Sequence, residues 1–267
     1  MLRNRNSRGH IRLDSNCAGS YNCPVKRLRR FLLAAAFLFS VCFSLAAQNA
    51  TPRIVYRSRA YQRVGASHEQ WWEMDLATRE NVRISDADAA QKRSTCLGAG
   101  QPISRFEKAS DVLSPRGRES AEISVHEPFD RSPLRIKNVT DGKEIATIQL
   151  PTDREHWNFS TSLAWSPDGT LILAGAEAGS SDSHFEDYWL LDWARQKWQY
   201  AGGGNNAQWS PDGSQIVWTT ARDLAPLGKI HVWVSHLVLL DVASLKQQTL
   251  TSGISNESEF FWCSPAR

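Results

Sequence analysis

"AWSPDGTLILAG" from Ala164 and "QWSPDGSQIVWT" from Gln208 are near copies of one phrase. A repeated phrase constrains a fold strongly, because repeats must stack to bury their apolar faces. Four of the five Ser-Pro pairs, at Ser114, Ser166, Ser210 and Ser264, recur in steps of 52, 44 and 54 residues. A period near fifty residues suits one small antiparallel sheet per repeat. The phrase itself is a turn. Pro167 and Pro211 preset φ for the first central position, Asp168 and Asp212 favour the second, and Gly169 and Gly213 adopt the left-handed conformation that closes a hairpin.

Each repeat carries strands in the same order. The third runs "LAW", turn, "LILAG", "DYWLLDW", "KWQYA"; the fourth runs "AQW", turn, "QIVWT", "IHVWVSHLVLLDV", "QQTLT". The second is weaker: "DVL", "AEISV", "PLRIKNV", "IATIQL", with an Asp141-Gly142 hairpin turn. Apolar and polar residues alternate at Ile136, Val139, Ile145 and Ile148, and no segment sustains a helical period. The first repeat starts without the phrase. "RIVYRS", "WWEMDLA" and "NVRIS" match second, third and fourth strands. "EFFWCSP", from Glu259, matches a first strand with nothing after it.

Repeated four-stranded sheets predict an all-β chain, a β-propeller of four-stranded antiparallel blades. The strand at 259–265 supplies what blade one lacks. That predicts four blades in a ring closed by the C-terminal strand. Two alternatives stay open: a fragment of a larger propeller, or half of a dimeric ring.

The charge excludes one partner class. Residues 1–47 hold 8 Lys and Arg against 1 Asp or Glu, while the remaining 220 hold 23 against 27. The formal +3 therefore comes from the N-terminus, and the body offers no basic footprint for nucleic acid. Residues 25–47 read as a signal peptide or membrane anchor. Four cations precede an apolar run from Phe31 to Ala47, closed by small residues. At 17 residues the run sits at the short limit for spanning a bilayer. Val41 before Cys42 is too bulky for a lipobox. Residues 1–24 are polar and Arg-rich; they fit a start codon placed too early, with Val25 the true initiator, or a long leader. Residues 53–267 form the propeller domain. After cleavage Cys96 and Cys263 remain; a disulfide and two free thiols both stay open.

"WSPDG", followed by an "I-V-W" strand and a "Y-x-L-D" strand, resembles the exported propeller repeats of the TolB family, and related repeats in the dipeptidyl peptidase IV family. Trp165–Gly169 and Trp209–Gly213 match fully. Leu113 replaces Trp and Arg116 replaces Asp in the second repeat, and Cys263 interrupts the last. The resemblance implies a propeller and a periplasmic or envelope location. It names no particular partner; the expected function, from the lack of any catalytic triad, metal code or nucleotide loop in the sequence, is a non-catalytic scaffold binding an envelope protein or peptide, with membrane contact only through the N-terminal segment if that is uncleaved.

We assign no catalytic, cofactor or metal residues. No G-x-S-x-G elbow, P-loop or dinucleotide fingerprint occurs, and "AGGGNN" from Ala201 reads as a connection between blades. Asp182, His184, Glu186 and Asp187 cluster in "SSDSHFEDYW", but their spacing follows no ligand code. His231 and His236, five apart on a strand, face opposite sides. His126, Glu127 and Asp130 lie in a loop-like stretch. Trp165, Trp209 and Trp262 precede the turn at equivalent places, which predicts wedges between blades. Trp71 and Trp72 cannot share a face; contact of one with a peptide or sugar ring and burial between blades both stay open. The rival function is an enzyme acting on carbohydrate from the propeller face.

Overall fold

The Ser-Pro turns close as their residue types require. Gly169 N–H donates to Ser166 O at 2.8 Å and Gly213 N–H to Ser210 O at 2.9 Å, with φ near +74° and +75°. The structure, a computed structural model, describes residues 52–60, 68–97, 112–123, 133–149, 151, 157–178, 185–227 and 230–263. The chain parts into two bodies, Met1–Ala50 with Arg267 and Thr51–Ala266, and all described residues lie in the second. Residues 1–24, the segment 25–47 and Ser264 lie outside the described residues.

The described residues make four modules. Module one contains β1 (Arg53–Ala60), β2 (Glu69–Asp75) and β3 (Asn81–Ile84), followed by α1 (Asp86–Leu97). Module two contains β4 (Val112–Leu113), β5 (Glu119–Ile123), β6 (Leu134–Asn138) and β7 (Glu144–Ile148). Module three contains β8 (Trp157–Trp165), β9 (Leu171–Ala178), β10 (Phe185–Asp192) and the first part of β11 (Lys197–Trp209). Module four takes the rest of β11, then β12 (Gln215–Leu227), β13 (Ile230–Asp241) and β14 (Lys246–Thr249). β15 (Ser255–Cys263) pairs antiparallel with β1, Arg53 opposite Cys263, and so becomes the first strand of module one. The expected strand exchange is therefore present.

Three seams hold the modules together. Ala121, Ile136 and Ile148 of module two pack on Leu163, Trp165 and Ile172 of module three. Leu173, Tyr188 and Leu190 of module three meet Trp209, Ile216 and Trp218 of module four. Val217, Leu237 and Leu239 of module four meet Ile54, Tyr56, Met74 and Trp262 of module one. At each seam a pre-turn tryptophan stitches backbone across. Trp165 donates its indole N–H to Val112 O (2.9 Å), Trp209 to Ala164 O (3.4 Å) and Trp262 to Gln208 O (3.4 Å). A buried indole needs such a partner, so the same carbonyl recurs two residues before each Ser-Pro. The expected wedge role holds. Trp193 and Trp198 also serve the seam between modules two and three.

"AGGGNN" is a strand rather than a loop. Within β11 it carries the chain from the outer edge of module three to the inner edge of module four. Glycine is required there by close approach. A Cβ on Gly204 would lie 2.3 Å from Trp218 Cδ1 and 2.4 Å from Thr219 O.

Two expectations need correction. The first is closure: the sheet is not closed, and its path runs from β3 to β8 with module two separate. The strand exchange completes module one internally, but a ring also needs modules one and two to pack face to face. The second face of module one is covered instead by α1, with Arg93 over the Trp71 and Phe261 rings and a Cys96–Cys263 disulfide. The second face of module two is charged. Glu122 pairs with Lys137 at 2.5 Å, and Arg135 with Glu144 at 3.9 Å. Burying those ions against an apolar sheet would cost several kcal/mol each, about as much as the packing itself would return. The second correction is α1 itself, in a chain expected to lack helices. Its apolar pattern is thin, and among its described side chains only Ala89 is a buried hydrophobic. Its signal is a capping box. Asp88 N–H donates to Ser85 Oγ at 3.1 Å, and Ser85 N–H donates back to Asp88 Oδ2 at 3.3 Å.

Candidate functional site

β1 and β15 do not pair evenly. Tyr56 lies opposite Phe260, but Ser58 lies opposite Glu257, so β15 carries one extra residue near Ser258. Strict alternation would put Glu257 on the α1 side with Glu259 and Phe261. The bulge turns it to the opposite face, beside Ser58.

That face borders a cavity of about 450 Å³ between module one and the segment Leu250–Ser252 that follows β14. Tyr56, Ser58, His68, Trp72, Asn81 and Glu257 line it. Tyr56 OH donates to Asn81 Oδ1 at 3.3 Å. Burial, helped by the nearby Glu257 carboxyl, pushes the Tyr56 phenol up to about 12.

Glu257 is only 3% exposed. Its Oε1 accepts from Ser255 Oγ at 2.8 Å and from Ser58 Oγ at 3.4 Å. Its Oε2 accepts no hydrogen bond and stands 3.6 Å from Nδ1 of His236 on β13, which is also without a hydrogen-bond partner. That separation is too long for a hydrogen bond, and the imidazole is charged only when protonated. Burial raises the Glu257 pKa above the usual carboxyl value, against the Ser255 and Ser58 hydroxyls and His236, which pull it down. Ser235 Oγ fixes the backbone behind the carboxyl by donating to Glu257 O at 2.7 Å.

The residues singled out in the sequence fall elsewhere. Asp168 and Asp212 are turn residues. Asp168 Oδ1 accepts from Ser166 Oγ (2.6 Å) and Thr170 N–H (3.1 Å), and Asp212 Oδ1 from Ser210 Oγ (2.7 Å) and Ser214 N–H (3.1 Å). Burial pushes both carboxyls up, but these hydrogen bonds together hold them below the ordinary value. Glu186 and Asp187 sit on β10, where Glu186 accepts from Ser162 Oγ at 2.9 Å and Asp187 from Tyr200 OH at 2.9 Å. Asp182, His184, His126, Glu127 and Asp130 lie outside the described residues. His231 and His236 lie on β13, and His236 stands beside the Glu257 carboxyl. Trp71 and Trp72 take opposite faces: Trp71 lies under Arg57 and Arg93, and Trp72 lines the cavity. Among the described residues, no three His, Cys, Asp or Glu form a group able to hold a metal ion.

No protein-family model and no curated protein sequence matches the chain. Solved structures similar to it include TolB from Acinetobacter baumannii, at 16% identity and a TM-score of 0.36, covering 75% of this chain and 41% of that one. The β-propeller domain of the Trilobed protease from Pyrococcus furiosus is similar at 14% identity and a TM-score of 0.36, covering 75% and 54%. An acylaminoacyl peptidase of Pyrococcus horikoshii is similar at 12% identity and a TM-score of 0.37, covering 75% and 30%. The chain spans less than two thirds of the length of each of these structures.

Proposed function

We propose that this chain is an exported, non-catalytic binding module of the propeller type, which docks an envelope protein or peptide at the seam between modules four and one. In this reading the four modules are blades, stacked in the order two, three, four, one. The observation that carries the reading is the seam cavity, where a buried carboxyl group and two aromatic residues, Tyr56 and Trp72, converge. Concave sites with a few placed polar groups among aromatic walls are the usual form of a binding pocket. Export is supported by the Cys96–Cys263 bridge, since such bonds persist in oxidising compartments, and by the signal-like segment at 25–47.

A carbohydrate-cleaving role fits the cavity less well. Glycoside hydrolysis uses a pair of carboxyl groups flanking one bond. Among the described residues that line the cavity, Glu257 is the sole acid.

The test is affinity capture from envelope extract with the full chain as bait. A specific protein retained by the wild type and lost with Trp72→Ala is expected. Equal retention by both proteins, or no specific retention, overturns the seam as the docking site.

A further inference from the structure

We propose that α1 is a redox-latched cover on module one, released when the Cys96–Cys263 bridge is reduced. The inference goes beyond the binding reading above and concerns a different face of the molecule.

α1 is 12 residues long, and an isolated helix of that length is marginal in water. Its hold must come from contacts with module one. Among its described side chains Ala89 is the one buried hydrophobic, so little apolar area holds it down. Lys92 Nζ lies 3.0 Å from Glu73 Oε1, and Arg93 Nη2 lies 2.8 Å from Glu259 Oε2. The Arg93 and Glu259 side chains are 45% and 43% exposed, and ion pairs this open to water contribute little. The Arg93 guanidinium also stands 5.5 Å from the Trp71 ring centroid and 5.3 Å from that of Phe261, contacts that are weak where the cation stays hydrated. The strongest remaining tie is the disulfide, which joins the last turn of α1 to the end of β15. At its other end the helix is anchored by the Ser85–Asp88 capping box next to β3, which supplies a pivot.

The same weakness makes the bridge reducible. The bond and the docked helix support each other reciprocally, so a helix that docks weakly protects its bridge weakly. Cys96 and Cys263 are both half-buried, which leaves sulfur surface for an attacking thiolate. One reductant thiolate attacks a sulfur of the bridge, breaking the S–S bond and forming a mixed disulfide. A second reductant thiol resolves it. The protein gains two electrons and two protons as two cysteine thiols, and the reductant leaves as its own disulfide. Only the weak contacts then hold α1. Its release takes Arg93 off the Trp71 and Phe261 rings, and Phe261, 2% exposed in the latched state, loses its cover.

The experiment is hydrogen exchange of the full chain in glutathione buffers of graded oxidation, without denaturant. Thiols are alkylated in parallel and assigned to Cys96 and Cys263 by peptide mapping. Opening of the bridge is expected in the reducing buffers while the seams stay protected. Exchange in residues 86–97 should rise at least about tenfold on opening, and Cys96→Ser should show the raised rate in every buffer. Raising salt from about 0.05 M to about 0.5 M should speed exchange there further in the reduced protein and leave the oxidised protein unchanged, because only the reduced form depends on its ion pairs.

A bridge that stays closed until denaturant is added overturns the proposal. So does equal protection of α1 in both states, or a loss of protection that spreads through all the seams at once. If Cys96→Ser does not fold, reduction of the wild-type protein decides alone.

Discussion

Trp209 and Leu113 occupy the same place in the repeat, one residue before Ser-Pro, and meet opposite fates. Trp209 is 9% exposed, wedged between modules three and four, with its indole on Ala164 O. Leu113 is 58% exposed, at the inner edge of module two, where no described module precedes it in the stack. A buried tryptophan removes roughly 150–250 Å² from water, or about 4–6 kcal/mol of transfer free energy. A leucine left in solvent contributes almost none of its own. The same turn thus builds a hairpin everywhere, but it builds a seam only where a large ring meets a second sheet. The Ser-Pro-Asp-Gly turn and the inter-module packing are therefore separate devices that share a phrase.

The most severe way to break the stack is to remove β15. Deletion of residues 259–267 takes away Phe260, Phe261, Trp262 and the disulfide, exposing both faces of module one. The loss is expected to exceed the whole stability of an ordinary domain, about 5–15 kcal/mol, and to abolish a cooperative melt. An unchanged melting curve would refute the exchange as a structural element. Next comes the direct contrast. Trp209→Ala is expected to cost about 3–5 kcal/mol and Leu113→Ala less than about 0.5 kcal/mol in denaturant unfolding. Comparable costs at the two positions would show that module two is covered after all.

The disulfide ranks third. It joins residues 167 apart and pins α1 to module one. Cys96→Ser is expected to lower stability by about 2–4 kcal/mol, measured against the oxidised wild type. Gly204→Ala probes the passage of β11 between modules three and four. Its methyl group would press on Trp218 and Thr219 O, and about 1–3 kcal/mol of destabilisation is expected.

The smallest effect concerns Glu257. Its raised pKa means that the folded state holds a proton more tightly than the unfolded state does. Stability from this group is therefore greatest at low pH and declines as pH rises from the unfolded to the folded pKa. Without ligand, Glu257→Gln should raise the melting temperature slightly at neutral pH. The gain should shrink as pH falls through the carboxyl range. A gain that stays constant on acidification would show that the carboxyl titrates normally.

The turn residues, the order of strands and the tryptophan wedges were legible because each depends on a local pattern or a fixed repeat spacing. The exchange of β15 was legible too, since one repeat lacked a strand and another stretch had one to spare. The far face of module two was harder to read. Glu122, Arg135, Lys137 and Glu144 alternate with core residues as solvent-facing positions do, and only the absence of tryptophan at Leu113 hinted that the seam there was open. The helix was hidden by its weak apolar face, leaving Ser85 and Asp88 as its clearest mark. Glu257 was hidden for another reason. A one-residue bulge reverses which face a side chain takes, and no alternation rule anticipates where the bulge falls.

The pairing of β1 with β15 also sets a timetable. Arg57 and Glu259 touch at 3.1 Å across 202 positions of chain. Until that length has been synthesised and delivered, module one is a three-stranded sheet with an unpaired edge. Contacts this distant slow folding, because loop closure precedes its reward. Among the described modules, the sheet that begins first is therefore among the last to be completed.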